Sequence, residues 1–424
     1  MRSKKKKFDN GVRLITVPMK GHPTVTVLVM AESGSMSEAE GKNGIAHFLE
    51  HMAMKGGEKY KDPYAVSSAL DSVGAYSNAF TGQDYTGYYA KGNPRHFNVL
   101  LDVVSDVYLK ARIDEEELSK ERGVIIEEIN MYKDTPRIYA QELFYKAVYG
   151  EQPAGRHPLG TKETINALTR GDFLSFVNKN YVSENTIVVV AGDFDGKIVE
   201  KEVLSRYGKM PYRKRPGRPR VKEGQSEPNF LLESRKTDQF HVNIGVRAFK
   251  ASDKRVPVLM VLNSVLGGGM SGRLFQKLRE EMGVCYYVRS VADTNRGHGV
   301  LSVSAGIDPK RFAEVVEAII EEFQVLRDEP VGSKELKKAK EHLIGKMSLD
   351  LESSDSVAEF FVEQEIMKGT QKTPREVAKE IRSVTSEDIK KLASKIFTND
   401  RLAASVVGKD PDEKILKKKL TFRK

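Results

Sequence analysis

Ile165-Asn166-Ala167-Leu168-Thr169-Arg170-Gly171-Asp172-Phe173-Leu174-Ser175-Phe176-Val177-Asn178-Lys179-Asn180-Tyr181 has a second copy later in the chain. Ile165, Leu168, Thr169, Asp172, Phe173, Phe176 and Tyr181 match Ile381, Val384, Thr385, Asp388, Ile389, Leu392 and Phe397 at one offset (381 − 165 = 216), and Gly192 extends the register to Gly408. Each copy reads as a helix opened by Thr and Asp, then an aromatic residue, then an apolar strand ending in Gly. The strands are expected at 186–191 and 402–407. A duplication of this length says what the fold unit is.

A second block carries the same message. Tyr85 to Ala90, Asn93-Pro94 and Phe97 pair with Val300 to Ala305, Asp308-Pro309 and Phe312, each a strand, a Pro-started turn and an amphipathic helix. Strand patterns alternate (Val25, Val27, Val29; Val242, Ile244, Val246), which predicts mostly antiparallel sheets covered by helices. The fold class is therefore α+β, with two homologous domains at 1–208 and 228–424. Between them, residues 209–227 are rich in Pro, Arg, Lys and Gly and read as a basic, solvated linker.

At 424 residues, with 39% hydrophobic and 30% charged side chains, the chain is long enough for two cores and too well mixed for wholesale disorder. The net charge of +10 permits acidic partners but names none. Its densest runs, Lys4 to Lys7 and Lys417 to Lys419, lie near the ends and read as solvated tails. No motif with interleaved aromatics suggests a nucleic-acid partner. The one cysteine, Cys285, cannot form an intrachain disulfide and is expected to pack as a small hydrophobe. With no secretion-signal pattern and no apolar stretch of about 18 residues, the expectation is a protein without a membrane span, in the reducing cytoplasm.

The chemistry is concentrated in Asn43-Gly44-Ile45-Ala46-His47-Phe48-Leu49-Glu50-His51-Met52, an apolar run with a helical reading. Residues four apart share a helical face, so His47 and His51 can turn to one ion, with Glu50 beside the same edge. This is the inverted form of the H-E-x-x-H zinc arrangement. A catalytic zinc needs three protein ligands and an open position, so a carboxylate must come from elsewhere. The acidic helix at 114–132 offers Glu121, Glu127 and Glu128; Glu121 and Glu128 share a face, Glu127 points about 100° away from Glu128, and spacing alone leaves the choice open.

These residues resemble the pitrilysin (inverzincin) family of zinc metallopeptidases, and most closely its half-size branch, similar to mitochondrial processing peptidase subunits and their bacterial relatives. The carriers are Gly44 to Met52 with Lys55-Gly56, and Glu121-Arg122 with Val124 to Ile129. The resemblance implies the family's LuxS/mitochondrial processing peptidase-like fold and one Zn2+ per chain, held by His47, His51 and Glu128. It implies Glu50 as catalytic base and Glu121 as the supporting carboxylate of the catalytic set. Ser77 to Thr81 resembles the edge strand that pairs with extended peptide, making Asn78 and Ala79 substrate-binding. Arg279 and Tyr286 resemble the pair that holds substrate and steadies the oxyanion. The implied partners are a peptide substrate and a second chain, in a homodimer or a heterodimer with a related chain, closing a chamber around the zinc. Met54 departs from the usual Phe, and Gln83-Asp84 from the usual Glu.

The repeat carries the motif to Leu262, Val265 and Leu266 in the second half, and the window matching Glu128 (343–346) has no carboxylate. The second domain is therefore expected to bind no zinc in this way. The expected function is zinc-dependent endopeptidase, in processing or peptide degradation. The alternative is a non-catalytic partner subunit, which zinc content would distinguish.

Overall fold

The repeat builds two sheets. In the computed structural model, which describes residues 1–423, β1 (Lys4–Lys7), β2 (Arg13–Pro18), β3 (Val25–Ala31), β4 (Tyr76–Thr81), β5 (Thr86–Gly92) and β6 (Thr186–Gly192) form one sheet, ordered β1-β2-β6-β3-β5-β4. The strands β7 (Asn229–Ser234), β8 (Phe240–Arg247), β9 (Cys285–Thr294), β10 (Gly299–Ile307) and β11 (Leu402–Gly408) form the other, ordered β7-β11-β8-β10-β9. The second order is the first with β1 left off. β2 pairs with β6 in parallel, as β7 does with β11, and the other ladders are antiparallel.

The opening stretch forms the helix Arg170–Asn180, and its copy the helix Ser386–Ile396. Each begins with a reciprocal cap: the threonine hydroxyl accepts from the backbone N–H of the Asp three residues on, whose carboxylate accepts from the threonine N–H. Two orphan donors are thereby satisfied at each helix start. The aromatic-to-Gly segments then enter β6 and β11, where the sequence places them.

Alternation works on both faces of the first sheet. Val25, Val27 and Val29 of β3, with Val188 and Val190 of β6, join one core, which contains Leu100, Leu101 and Val104 of the helix Phe97–Leu109. Leu28, Met30, Val189 and Ala191 join another, against Val357, Ala358, Phe361 and Val362 of the helix Ser354–Lys368. A sheet covered on both sides buries every residue of β3 and β6, which is why neither strand contains a charge.

The packed units are not contiguous stretches. One comprises Met1–Ile129, His157–Pro219 and Ser348–Pro374; the other comprises Asn130–Arg156, Arg220–Met347 and Arg375–Lys424. The division therefore differs from the expected 1–208 and 228–424. The helix Ser354–Lys368 covers the first sheet, while the helix Pro136–Tyr149, from the first half of the chain, packs on β11, β8 and β7 of the second. There Ser405 donates to the Ala140 carbonyl at 2.5 Å. The two halves have exchanged equivalent helices, and an apolar helical face does not record in sequence which sheet it will cover.

Burial gives the helix Pro136–Tyr149 a titratable group of consequence. It lifts the Glu142 carboxyl to about 7, against the pull of Lys133 and Arg235. The folded chain then keeps a proton that the unfolded chain releases near pH 4.5, so this contribution is full below that pH and is lost as pH rises through 7. Glu142→Gln is expected to melt with wild type at pH 5 and to be more stable than wild type at pH 8, by about 2 to 3 kcal/mol. Paired thermal melts check the divergence.

Two basic segments are largely exposed, as expected, but are ordered elements rather than tails. Lys4–Lys7 is an edge strand on β2, with Lys5 bonded to the buried Glu365 at 3.0 Å; lysines on an edge strand also discourage pairing with another chain. Lys417–Lys419 ends the helix Glu413–Lys419, where cations suit the carbonyl end. The linker is pinned as well: Arg215 pairs with Glu32 and Arg218 with Asp84, both carboxylates buried. A buried carboxylate needs a counterion, and a basic run read in isolation does not reveal that one waits for it. Arg218→Met is expected to cost about 3 kcal/mol by removing the arginine's charge from beside the buried Asp84 carboxylate, whereas Arg213→Met, at an exposed site, should cost less than about 0.5 kcal/mol. Denaturant titration separates the two.

Candidate metal centre

The helix Ile45–Ala53 has no capping side chain of its own. Its start is held by Glu38, a buried carboxylate that accepts from the backbone N–H of Gly44 (3.1 Å) and Ala46 (3.0 Å) and from Asn43 Nδ2 (2.7 Å). A negative charge belongs at that end of a helix. Gly44 has φ 98°, and a Cβ there would lie 2.6 Å from the Leu159 carbonyl oxygen, so glycine is required by both conformation and space. Further along, Phe48 packs edge-on against Phe173 of the opening motif, ring centroids 5.0 Å apart. Across that ring lies Arg122, which donates to the Ile165 and Leu168 carbonyls. The repeated element thus buttresses the helix that bears the histidines.

His47 and His51 fall one turn apart with ring centroids 4.6 Å apart. The helix Glu115–Lys133 brings Glu128 Oε2 to 3.6 Å from His47 Nε2 and to 3.6 Å from His51 Nε2. These gaps are too long for hydrogen bonds. They suit a shared ion: donors each about 2.1 Å from a tetrahedral centre lie about 3.4 Å from one another. Among the described residues this trio is a group able to hold a metal, one ligand atom from each within 4.8 Å of the others. Glu127 is exposed and Glu128 half-buried, so of the adjacent pair it is Glu128 that the rotation of the helix turns toward the two histidines.

Electrostatics prepare the two imidazoles differently. Burial, with His51 nearby, pushes His47 down to about 3, leaving it in the neutral form that ligates metals. For His51, burial works downward, but the Glu121 hydrogen bond and the charges of Glu50, Glu121 and Glu128 prevail and raise it. Glu121 Oε1 lies 2.8 Å from His51 Nδ1, which commits that nitrogen and leaves Nε2 to face Glu128. Glu121 is itself held by Lys55 at 2.5 Å. Its carboxyl stays below the usual range, because His51 and Lys55 overcome burial.

Glu50 lies beside this trio with a different role available. It is buried, and burial lifts its carboxyl to about 6 against the opposing bond from Thr81 Oγ1, which donates to Oε2 at 2.5 Å. A carboxylate with a raised proton affinity is suited to take and return a proton near neutral pH. Thr81 ends β4, one of the two edge strands of the first sheet. On the same strand Asn78 is exposed, its Oδ1 accepting from the Ala79 N–H at 2.9 Å, and Ala79 is half-buried against the core.

Arg279 and Tyr286 belong to the other packed unit. Arg279 lies on the π-helical turn Phe275–Glu281 and donates to the Cys285 carbonyl at 2.6 Å; Tyr286, the next residue, is exposed on β9. Cys285 is buried and free, as expected. The positions equivalent to the histidines and Glu50, Leu262, Val265 and Leu266, are core residues. Sequence reasoning missed Glu38, Thr81 and the role of Lys55: Thr81 and Lys55 act across tertiary contacts, Glu38 caps its helix from outside it, and none sits at a ligand spacing.

Residues 13–162 match the model of the insulinase family (peptidase family M16), and residues 167–343 that of the peptidase M16 inactive domain. YmxG of Bacillus subtilis, an uncharacterized zinc protease, is 33% identical over 94% of this chain and 96% of its own. An uncharacterized zinc protease of Streptomyces coelicolor is 33% identical over 95% of this chain and 88% of its own. The crystal structure of a protease from Helicobacter pylori has the same fold, with a TM-score of 0.89 at 22% identity over 96% of this chain and 99% of that one. Two family models in tandem and this extent of shared sequence mean that the chain belongs to the pitrilysin-like M16 peptidase family, in its half-size branch.

Proposed function

We propose that the chain is a zinc endopeptidase with one zinc on His47, His51 and Glu128. The observation that carries this reading is the position of Glu128 Oε2, 3.6 Å from each imidazole Nε2; the zinc-protease relatives support it. Zinc, when bound there, supplies a Lewis acid that acidifies water and polarises the substrate carbonyl. Glu50 takes the proton from the attacking water and returns it to the leaving amine nitrogen. Thr81 fixes one Glu50 oxygen, leaving the other for that transfer. Glu121 holds His51 in the ligating tautomer, and Lys55 keeps Glu121 ionised.

The substrate is an extended peptide that adds a strand to the open edge of β4. Asn78 and Ala79 lie along its backbone, and Arg279 and Tyr286 complete its hold and steady the oxyanion. A dimer of this chain, or of this chain with a related one, encloses the site in a chamber that admits unfolded segments, and the enzyme works in the cytoplasm in processing or degradation. The test is cleavage of a quenched peptide library by protein stripped with chelator and then given one equivalent of zinc. Restored cleavage is expected; a zinc-loaded chain that cuts no peptide overturns the reading.

A further inference from the structure

Away from the metal centre, one strongly basic side chain is buried without a carboxylate. Arg247, the last residue of β8, is 4% exposed. Its Nη2 donates to the Asp400 carbonyl at 2.5 Å, and its Nε finds no acceptor. No ion pair to it occurs among the described residues. A guanidinium cannot shed its charge, and a buried charge left uncompensated is strongly unfavourable.

Arg247 lines a cavity of about 420 Å³ within its own packed unit, between the end of the helix Pro136–Tyr149 and linker residues Lys222 to Asn229. Glu227 is the one carboxylate of that lining, exposed to solvent, against the two cations Arg247 and Lys222. The helix end beside them contributes carbonyls, but those of Ala147 and Tyr149 are already taken by Asn229 Nδ2 at 2.8 Å and Gln152 Nε2 at 2.7 Å. They therefore do not answer the arginine. Gln225 Oε1, in the same lining, is a buried acceptor without a partner and calls for a donor, but no carboxylate of the lining is buried against the charge of Arg247.

We propose that this cavity is a binding site for a small oxyanion, a phosphate or a carboxylate, held by Arg247 with Lys222 at its mouth. The planar fork of the guanidinium matches two oxygens of either group. Bound there, the anion ties the second half of the linker to the unit that carries β8.

The experiment is titration of the full-length protein with inorganic phosphate and, separately, with acetate. Both are run calorimetrically at about 150 mM ionic strength so that diffuse attraction to a basic protein is screened. Wild type should bind one of them saturably, the preferred anion telling a tetrahedral from a planar group. Lys222→Ala should weaken that binding about tenfold, the size of one charge-assisted contact, and Arg247→Met should abolish it. Trypsin cleavage after Lys222 in wild type should slow as the anion saturates. Absence of saturable binding by wild type overturns the proposal, and so does binding left unchanged in Lys222→Ala, whether or not Arg247→Met folds.

Discussion

Glu50→Gln is expected to lower kcat/KM on peptide substrates by about a thousandfold, while the protein retains zinc. The substitution is nearly isosteric and leaves His47, His51 and Glu128 in place. Thr81 can still donate to the amide oxygen as it does to Glu50 Oε2. What disappears is the proton acceptor, and with it the return of that proton to the leaving nitrogen. The environment that raises Glu50 to about 6 makes it a stronger base than an exposed carboxylate. Steady-state rates on one quenched peptide, with metal analysis of the same samples, give the comparison. Unchanged turnover in a zinc-loaded Glu50→Gln protein would remove Glu50 from the mechanism.

The second large effect is expected at Glu128. Glu128→Gln replaces the anionic ligand with an amide that binds zinc poorly, and the zinc dissociation constant should rise by at least about a thousandfold. Glu121→Gln should raise it by about 10- to 100-fold, the usual cost of losing a partner that orients a ligand rather than a ligand itself. The ranking follows from position: Glu128 faces both Nε2 atoms, whereas Glu121 touches only the far side of His51. Competition with a chromophoric chelator measures both constants. Equal losses in the two variants would mean that the carboxylates share ligation.

How much of this was legible beforehand differs by element. The duplicated caps at Thr169 and Thr385 and the strands after them were readable because their determinants are local: a capping side chain, its partner three residues on, and alternation. The pairing of His47 with His51 was readable for the same reason, since one helical turn fixes it. Glu128 was only one of three candidates, because helix rotation is set by the tertiary packing of the buried face, Leu118, Glu121, Ile125 and Ile129, which spacing among the acidic residues does not disclose. The helix exchange between sheets left no trace in sequence, and neither did the counterions that turn the linker from a tether into a strap over Glu32 and Asp84. Glu38 illustrates the limit: it lies six residues before Gly44, outside the helix that it caps.

The measurement that bears most directly on the metal centre is the zinc content of the purified chain after reconstitution and dialysis, by mass spectrometry of the metal, alongside His51→Ala. One zinc per wild-type chain, absent from His51→Ala and accompanied by zinc-dependent peptide cleavage, is the expected result. No zinc on wild type, or the same zinc on His51→Ala, would contradict a site built from His47, His51 and Glu128.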